Sequence, residues 1–197
     1  MTVIETARRE RDTLMMTAPS PLRSPLLSAL LTLHRALSSS TATVDPGLDH
    51  ARRLCRAAGR RLEDLLDRAE EPGAALLVSR FVEPDLLPLT DALAVFIGRC
   101  ARARFNDADP SNDDLQDIGD AVAVVVEEDL GPALLSLGLF SFEVPRPFAS
   151  AFDPRRHQLV ERAAGPKDVV VDVQRFGRVG AGGRLKDPAL VVVGGGS

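Results

Sequence analysis

Asp168-Val-Val-Val-Asp172-Val-Gln174-Arg175-Phe-Gly177-Arg178-Val-Gly180-Ala-Gly182-Gly183-Arg184-Leu-Lys186-Asp187-Pro188-Ala-Leu190-Val-Val-Val193 is the stretch on which the fold turns. Two valine-rich runs, 169–173 and 190–193, flank a loop holding Gly177, Gly180, Gly182 and Gly183. That is the composition of strands joined by turns that need positive φ. Asp172 and Gln174 alternate with Val171 and Val173, which predicts one buried and one wet face for the first strand. No other part of the chain is so clearly β, and apolar residues elsewhere recur at helical spacing. The expected class is therefore α+β: N-terminal helices followed by a small all-β domain over 167–193.

Upstream, Pro145, Pro147 and Pro154 mark 145–166 as a linker, with a helical turn or two expected over 157–164. Residues 46–144 form the helical region. Asp45-Pro46 is a helix start, with Asp at the cap and Pro in the first turn. From Leu48 to Ala69, apolar Ala51, Leu54, Cys55, Ala58, Leu62, Leu65 and Leu66 return every three or four residues. The opposite face carries Arg52, Arg53, Arg56, Arg60, Arg61, Glu63, Asp64, Asp67 and Arg68, a solvated surface or a grip for an acidic partner. Arg60 with Asp64, and Asp64 with Arg68, sit at i,i+4 and are expected to neutralise one another in part. Glu71-Pro72-Gly73 should interrupt this helix.

A second stripe, Leu86, Leu89, Leu93, Phe96, Ile97 and Cys100, is expected to bend near Pro84 and Pro88. A third, Leu115, Ile118, Val122, Val125, Val126 and Leu130, is expected to start at a Ser111 cap, to kink or divide at Gly131-Pro132 and to stop at Gly138. Leu139 to Val144 should be short and extended. Residues 1–45 read as a mobile tail with a short apolar helix from Leu26 to Leu37, and 194–197 as a disordered tail.

With 197 residues the chain can hold one domain and a small appendage around an aliphatic core, for it has eight Phe and neither Trp nor Tyr. A formal charge of −4 argues against a general nucleic-acid surface. No run of about 18 apolar residues predicts a membrane span, and no apolar leader precedes the charged N-terminus, so a cytoplasmic protein is expected. Cys55 and Cys100 stand alone and read as buried thiols of a reducing compartment. Groups for catalysis are sparse. Asp153 and His157 at i,i+4 do not close a metal site and read instead as a helix cap and a histidine packing a domain junction. Asp107, Asp109, Asp113, Asp114 and Asp117 lack the glycine and terminal Glu of a calcium loop, and the glycine-rich loop lacks the Lys-Ser/Thr of a phosphate cradle. No enzyme activity, cofactor or metal is expected. What remains is a binding surface made by Arg175, Arg178, Arg184 and Lys186.

The order of the valine strand, Gln174, the turn at Gly177, Gly183-Arg184, Pro188-Ala189 and the closing Val191-Val192-Val193 resembles the C-terminal β-domain of the GrpE family. Phe152-Asp153-Pro154, His157-Gln158 and Val160 are similar to that family's linker, and Leu86-Leu87-Pro88 with Asp91 is a fainter echo. The resemblance implies a nucleotide exchange factor whose β-domain enters the ATPase cleft of a DnaK-type chaperone. It also implies a homodimer joined by a four-helix bundle, with Leu86, Leu89, Leu93, Phe96, Ile97, Leu115, Ile118, Val122, Val125 and Val126 at the seam; packing of these stripes on Leu54 to Leu66 within a monomer is the alternative. Gly183-Arg184 is the expected contact, with Arg175, Gly177, Arg178, Lys186 and Pro188 around it. Three departures stand out. The long N-terminal helix is missing, Asp187 stands where a basic residue is common, and Arg178 stands where an aromatic is usual. A helical adaptor that kept the fold without exchange activity is the competing expectation.

Overall fold

The structure, a computed structural model, describes residues 25–39, 45–68, 74–106 and 110–196; the expected tail over 1–24 lies outside them. Helix α1 (Pro25–Leu37) is followed by α2 (Pro46–Arg68) and by the short α3 (Ala74–Leu77). A π-helical segment, Val78–Leu86, leads into α4 (Leu87–Asn106). Then come α5 (Pro110–Val125), a second π segment (Val126–Leu130) and α6 (Gly131–Ser136). Among the described residues no helix is long and apolar enough to cross a membrane.

Local chemistry sets these boundaries. Asp45 Oδ1 accepts the Leu48 N–H at 2.8 Å, as expected of the cap, and its second oxygen holds Arg99 of α4. Pro46 takes the first helical position, where no backbone donor is needed. At the prolines of the second and third stripes the helical path continues through a π segment. Leu87 donates its N–H five residues back to Val82, and Gly131 does the same to Val126. Pro88 and Pro132 come next in sequence. Widening the turn by one residue ahead of the proline absorbs its missing donor and its clash with the preceding turn, so the helical path continues. Gly138, at φ 76°, ends α6 with the paired bonds Leu139 N–H to Leu134 O (3.1 Å) and Gly138 N–H to Leu135 O (2.9 Å).

Helices α1, α2, α4 and α5 form a ring: α1 and α4 lie opposite one another and each packs against both α2 and α5. The α4 stripe expected at a seam between two chains packs within this one chain, on α2 among others, as the alternative expectation had it. Leu86, Leu89, Leu93, Phe96, Ile97, Ile118, Val122, Val125 and Val126 are buried inside this one chain, and Leu115 is partly so. Helix α1, expected as a short apolar helix in a mobile tail, buries Leu26, Leu27, Leu30, Leu33 and Leu37 against α2 and α5, while the α4 stripe is covered by α2, α5 and β3.

The β part is small and C-terminal, as expected, but it begins earlier. Strands β1 (Ser141–Glu143), β4 (Gly177–Val179) and β5 (Leu185–Asp187) make one antiparallel sheet in the order β1-β4-β5. Strands β2 (His157–Ala163), β3 (Val170–Arg175) and β6 (Ala189–Gly194) make the other, with β6 central, β2 parallel to it and β3 antiparallel. The supposed linker 145–166 thus contains a strand, and the helical turn expected at 157–164 is β2. Pairing with β6 overrides the helix preference of Glu161-Arg162-Ala163. Nor is the glycine tail loose over its described part. Gly194 closes β6, Gly195 N–H donates to Ala163 O at 2.9 Å, and Gly196 N–H donates to Gly165 O at 3.1 Å.

Helix α4 lies across β3 and covers the face expected to be wet. Asp172 is 5 % exposed, with Gln174 alone of the pair in solvent. Its carboxylate accepts the Val173 N–H at 2.9 Å and pairs with Arg102 of α4 at 3.1 Å. Burial pushes the Asp172 carboxyl up, while Arg102 and the Val173 bond pull it back. Gly98 makes the approach feasible: a Cβ there would lie 1.7 Å from Asp172 Oδ1. At the end of α4, Phe105 stacks on Phe148 with centroids 4.2 Å apart, which pins the chain after β1 to the bundle.

Candidate partner-binding site

The turn from β4 to β5 carries the residues expected to bind a partner. Gly180 N–H donates to Arg184 O at 2.8 Å, and a 3₁₀ turn at Ala181–Gly183 fills the loop. Gly182 (φ 76°) and Gly183 (φ 77°) both need the left-handed backbone, yet a Cβ at either would meet nothing within 4 Å. The glycines serve the turn, and the space beyond them is open. Gly177 has the opposite reason, since β4 is squeezed there: a Cβ would come within 3.1 Å of the Ala189 nitrogen and 3.2 Å of Glu143 Cβ.

The four cations of this region do not form one surface. Arg184 is exposed and its guanidinium makes no ion pair among the described residues. Lys186 donates to Leu139 O at 3.0 Å, tying the base of the turn to the chain before β1. Arg178 pairs with Asp187 at 2.8 Å and lies 5.5 Å above the Phe140 ring. Arg178 and Asp187 therefore form one ion pair, each residue answering the other across the β4–β5 ladder. Arg175 is half-buried and turns toward α4. Burial raises the carboxyl of Asp91 there, and the charges of Arg175 and Arg178 lower it in turn. Pro188, half-buried between β5 and β6, shapes the return of the chain and is not part of the exposed tip. The tip is thus Ala181 to Arg184, with Gly183 and Arg184 at its apex.

The Phe152 to His157 segment is a turn leading into β2 and not the helix cap expected: Asp153 Oδ1 accepts the Arg155 N–H at 2.9 Å. His157 is buried, and its Nδ1 accepts the Asp153 N–H at 3.1 Å. That bond leaves the ring hydrogen on Nε2, which faces Glu143 Oε1 at 3.5 Å. Arg156 reaches the same oxygen at 2.8 Å, so Glu143 of β1 fastens one sheet to the start of the other. A shallow cleft of 590 Å³ opens beside this cluster, bordered by Glu127, Arg146 and Ser150. Among the described residues no three His, Cys, Asp or Glu side chains come together to hold a metal. Both thiols, Cys55 and Cys100, are buried and pushed up to about 12 by that burial, so neither is a ready nucleophile.

Sequence reasoning missed Glu143 and Phe140. Each acts through a partner distant in the chain, and no local spacing marks it. The Arg178–Asp187 pair could have been found, because a hairpin around Gly180–Gly183 sets those residues opposite one another. No protein-family model matches this chain, and no curated protein matches it.

Proposed function

We propose that this chain is a GrpE-like nucleotide exchange factor that promotes ADP release from a DnaK-type chaperone by inserting its β-unit at the ATPase cleft. One observation carries the reading. A unit of two sheets ends in an open glycine turn, and the guanidinium of Arg184 at its apex makes no ion pair among the described residues. Such a tip can enter a cleft without reordering, and its charge offers bonds to carboxylates or carbonyls of the partner. The factor performs no bond chemistry and takes no cofactor. By binding the opened ATPase better than the closed one, it shifts that equilibrium, and ADP loses contacts and leaves. The proposed setting is the cytoplasm. A second copy would have to join through a surface other than the buried stripes of α4 and α5.

The test is stopped-flow release of a fluorescent ADP analogue from the host's DnaK-type ATPase domains, with and without the full chain. Acceleration is expected, with Arg184→Ala reducing it about tenfold, the worth of a charge-assisted contact. Unchanged release from every such ATPase overturns the reading. The second reading, an adaptor on the same fold, is favoured by the Arg178–Asp187 pair, which spends on itself a cation that could meet a partner. Binding to the ATPase domain without faster release would establish the adaptor.

A further inference from the structure

The exposed face of α2 holds a charge pattern that exchange at the β-unit does not use. From residue 50 to 61 it carries Arg52, Arg53, Arg56, Arg60 and Arg61 and no carboxylate, in a chain with a net charge of −4. Arg53, Arg56 and Arg60 follow one another at i+3 and i+4, a row on one face spanning about 10 Å. The expected pairing of Arg60 with Asp64 does not close, and neither Arg53 nor Arg60 makes an ion pair among the described residues. Arg56 donates to His34 of α1 at 3.2 Å, which requires a neutral imidazole. His34 is held below the usual histidine range by burial and by the charges of Arg56 and Arg52. Arg52 is fixed by bonds to Leu37 O at 2.7 Å and Asp49 at 3.2 Å, so this end of the row is pre-organised. Ser38, Asp49, Arg52, Arg53 and Arg56 line a concavity of 430 Å³ between the end of α1 and α2.

Like charges repeated at these spacings destabilise a helix, so the row lowers its own energy by meeting anions from outside. The pattern also says which anions. Beyond Arg60 the same face turns acidic at Glu63, Asp64 and Asp67, so a nucleic-acid backbone running along it would meet carboxylates after two turns. The exposed part of the row offers no aromatic ring for a base to stack on. A single phosphate would want the cations converging on one point, whereas these are strung along the helix with Asp49 at the rim. We infer that the α1–α2 face is a docking surface for a short acidic segment of a partner protein, seated across Arg53, Arg56 and Arg60.

The test titrates a fluorescein-labelled hexaglutamate peptide with the full chain at low ionic strength, following anisotropy, and then adds salt. Arg53→Gln/Arg60→Gln leaves helix propensity nearly unchanged and removes two exposed contacts. It should weaken binding about tenfold, while Arg184→Ala leaves binding as it was. In parallel, NMR titration of the His34 ring, assigned with His34→Asn, should show its pKa rising when peptide neutralises Arg56. Exchange activity should survive the double substitution, which separates this surface from the β-unit. The inference is overturned by absence of peptide binding, by binding undiminished in the double variant, or by a His34 titration indifferent to peptide. Tighter binding of inorganic phosphate or a single-stranded polyuridylate would overturn it as well.

Discussion

Replacing Gly98 with alanine should destabilise this protein, although the same change inside an exposed helix usually stabilises it. A Cβ at position 98 would stand 1.7 Å from Asp172 Oδ1, 2.9 Å from its carboxyl carbon and 3.0 Å from the Val173 nitrogen. Two of those atoms belong to a carboxylate held on both sides and the third is backbone, so the clash cannot be relieved by turning a flexible tip. Either α4 lifts from β3 or Asp172 leaves its place. Overpacking of this kind costs about 1–3 kcal/mol, and losing the Val173 bond adds about 1 kcal/mol. Helix propensity returns about 1 kcal/mol, which leaves a net loss of about 2 kcal/mol. In a chain of this size that lowers the melting midpoint by about 4–8 °C. Urea unfolding followed by circular dichroism measures it. The decisive arm is the double variant: with Asp172→Ala only the 3.0 Å approach to the Val173 nitrogen remains, and Gly98→Ala should then cost clearly less than in the wild type. Wild-type stability for Gly98→Ala alone, or equal losses in both backgrounds, would refute the close docking of α4 on β3.

Two further outcomes follow from the titratable groups. Asp172 is raised above the ordinary aspartate range, so the folded state holds its proton longer than the unfolded chain does; the stability tied to that proton is present below the ordinary value and is lost as pH climbs through the raised one. Asp172→Asn should therefore gain stability relative to wild type across that window, and denaturant midpoints that move in parallel at all pH values would contradict the assignment. Cys55 and Cys100, both near 12, should be about one part in ten thousand thiolate at pH 8. Neither should react with a disulfide reagent in the native protein, and both should react at once in denaturant. Prompt labelling of a native thiol would mean that the helices around it open readily.

The sequence is explicit where neighbouring residues decide the outcome. The helical faces follow from apolar spacing, the start of α2 from Asp45-Pro46, the end of α6 from Gly138, and β3 and β6 from their valines. In each case the energy that selects the conformation lies within a turn or two of chain. The candidate tip was legible for the same reason, because glycines at positive φ announce a turn wherever they stand.

Partners distant in the chain decided the rest. Strand β2 exists because β6 pairs with it, and no local rule makes Glu161-Arg162-Ala163 extended. Gly194 to Gly196 are ordered because Ala163, Gly165, Asp168 and Val169 supply their backbone partners. Asp172 is buried because α4 can lie on it where Gly98 has no side chain. The stripe at Leu86 to Ile97 needed an apolar cover on any reading, and periodicity could not say whether a second copy or the helix at Leu54 to Leu66 provides it. Apolar burial has no direction and no address. The sequence determined which faces had to be covered; only the closure of the tertiary fold decided that α2, α5 and β3, from the same chain, cover this one.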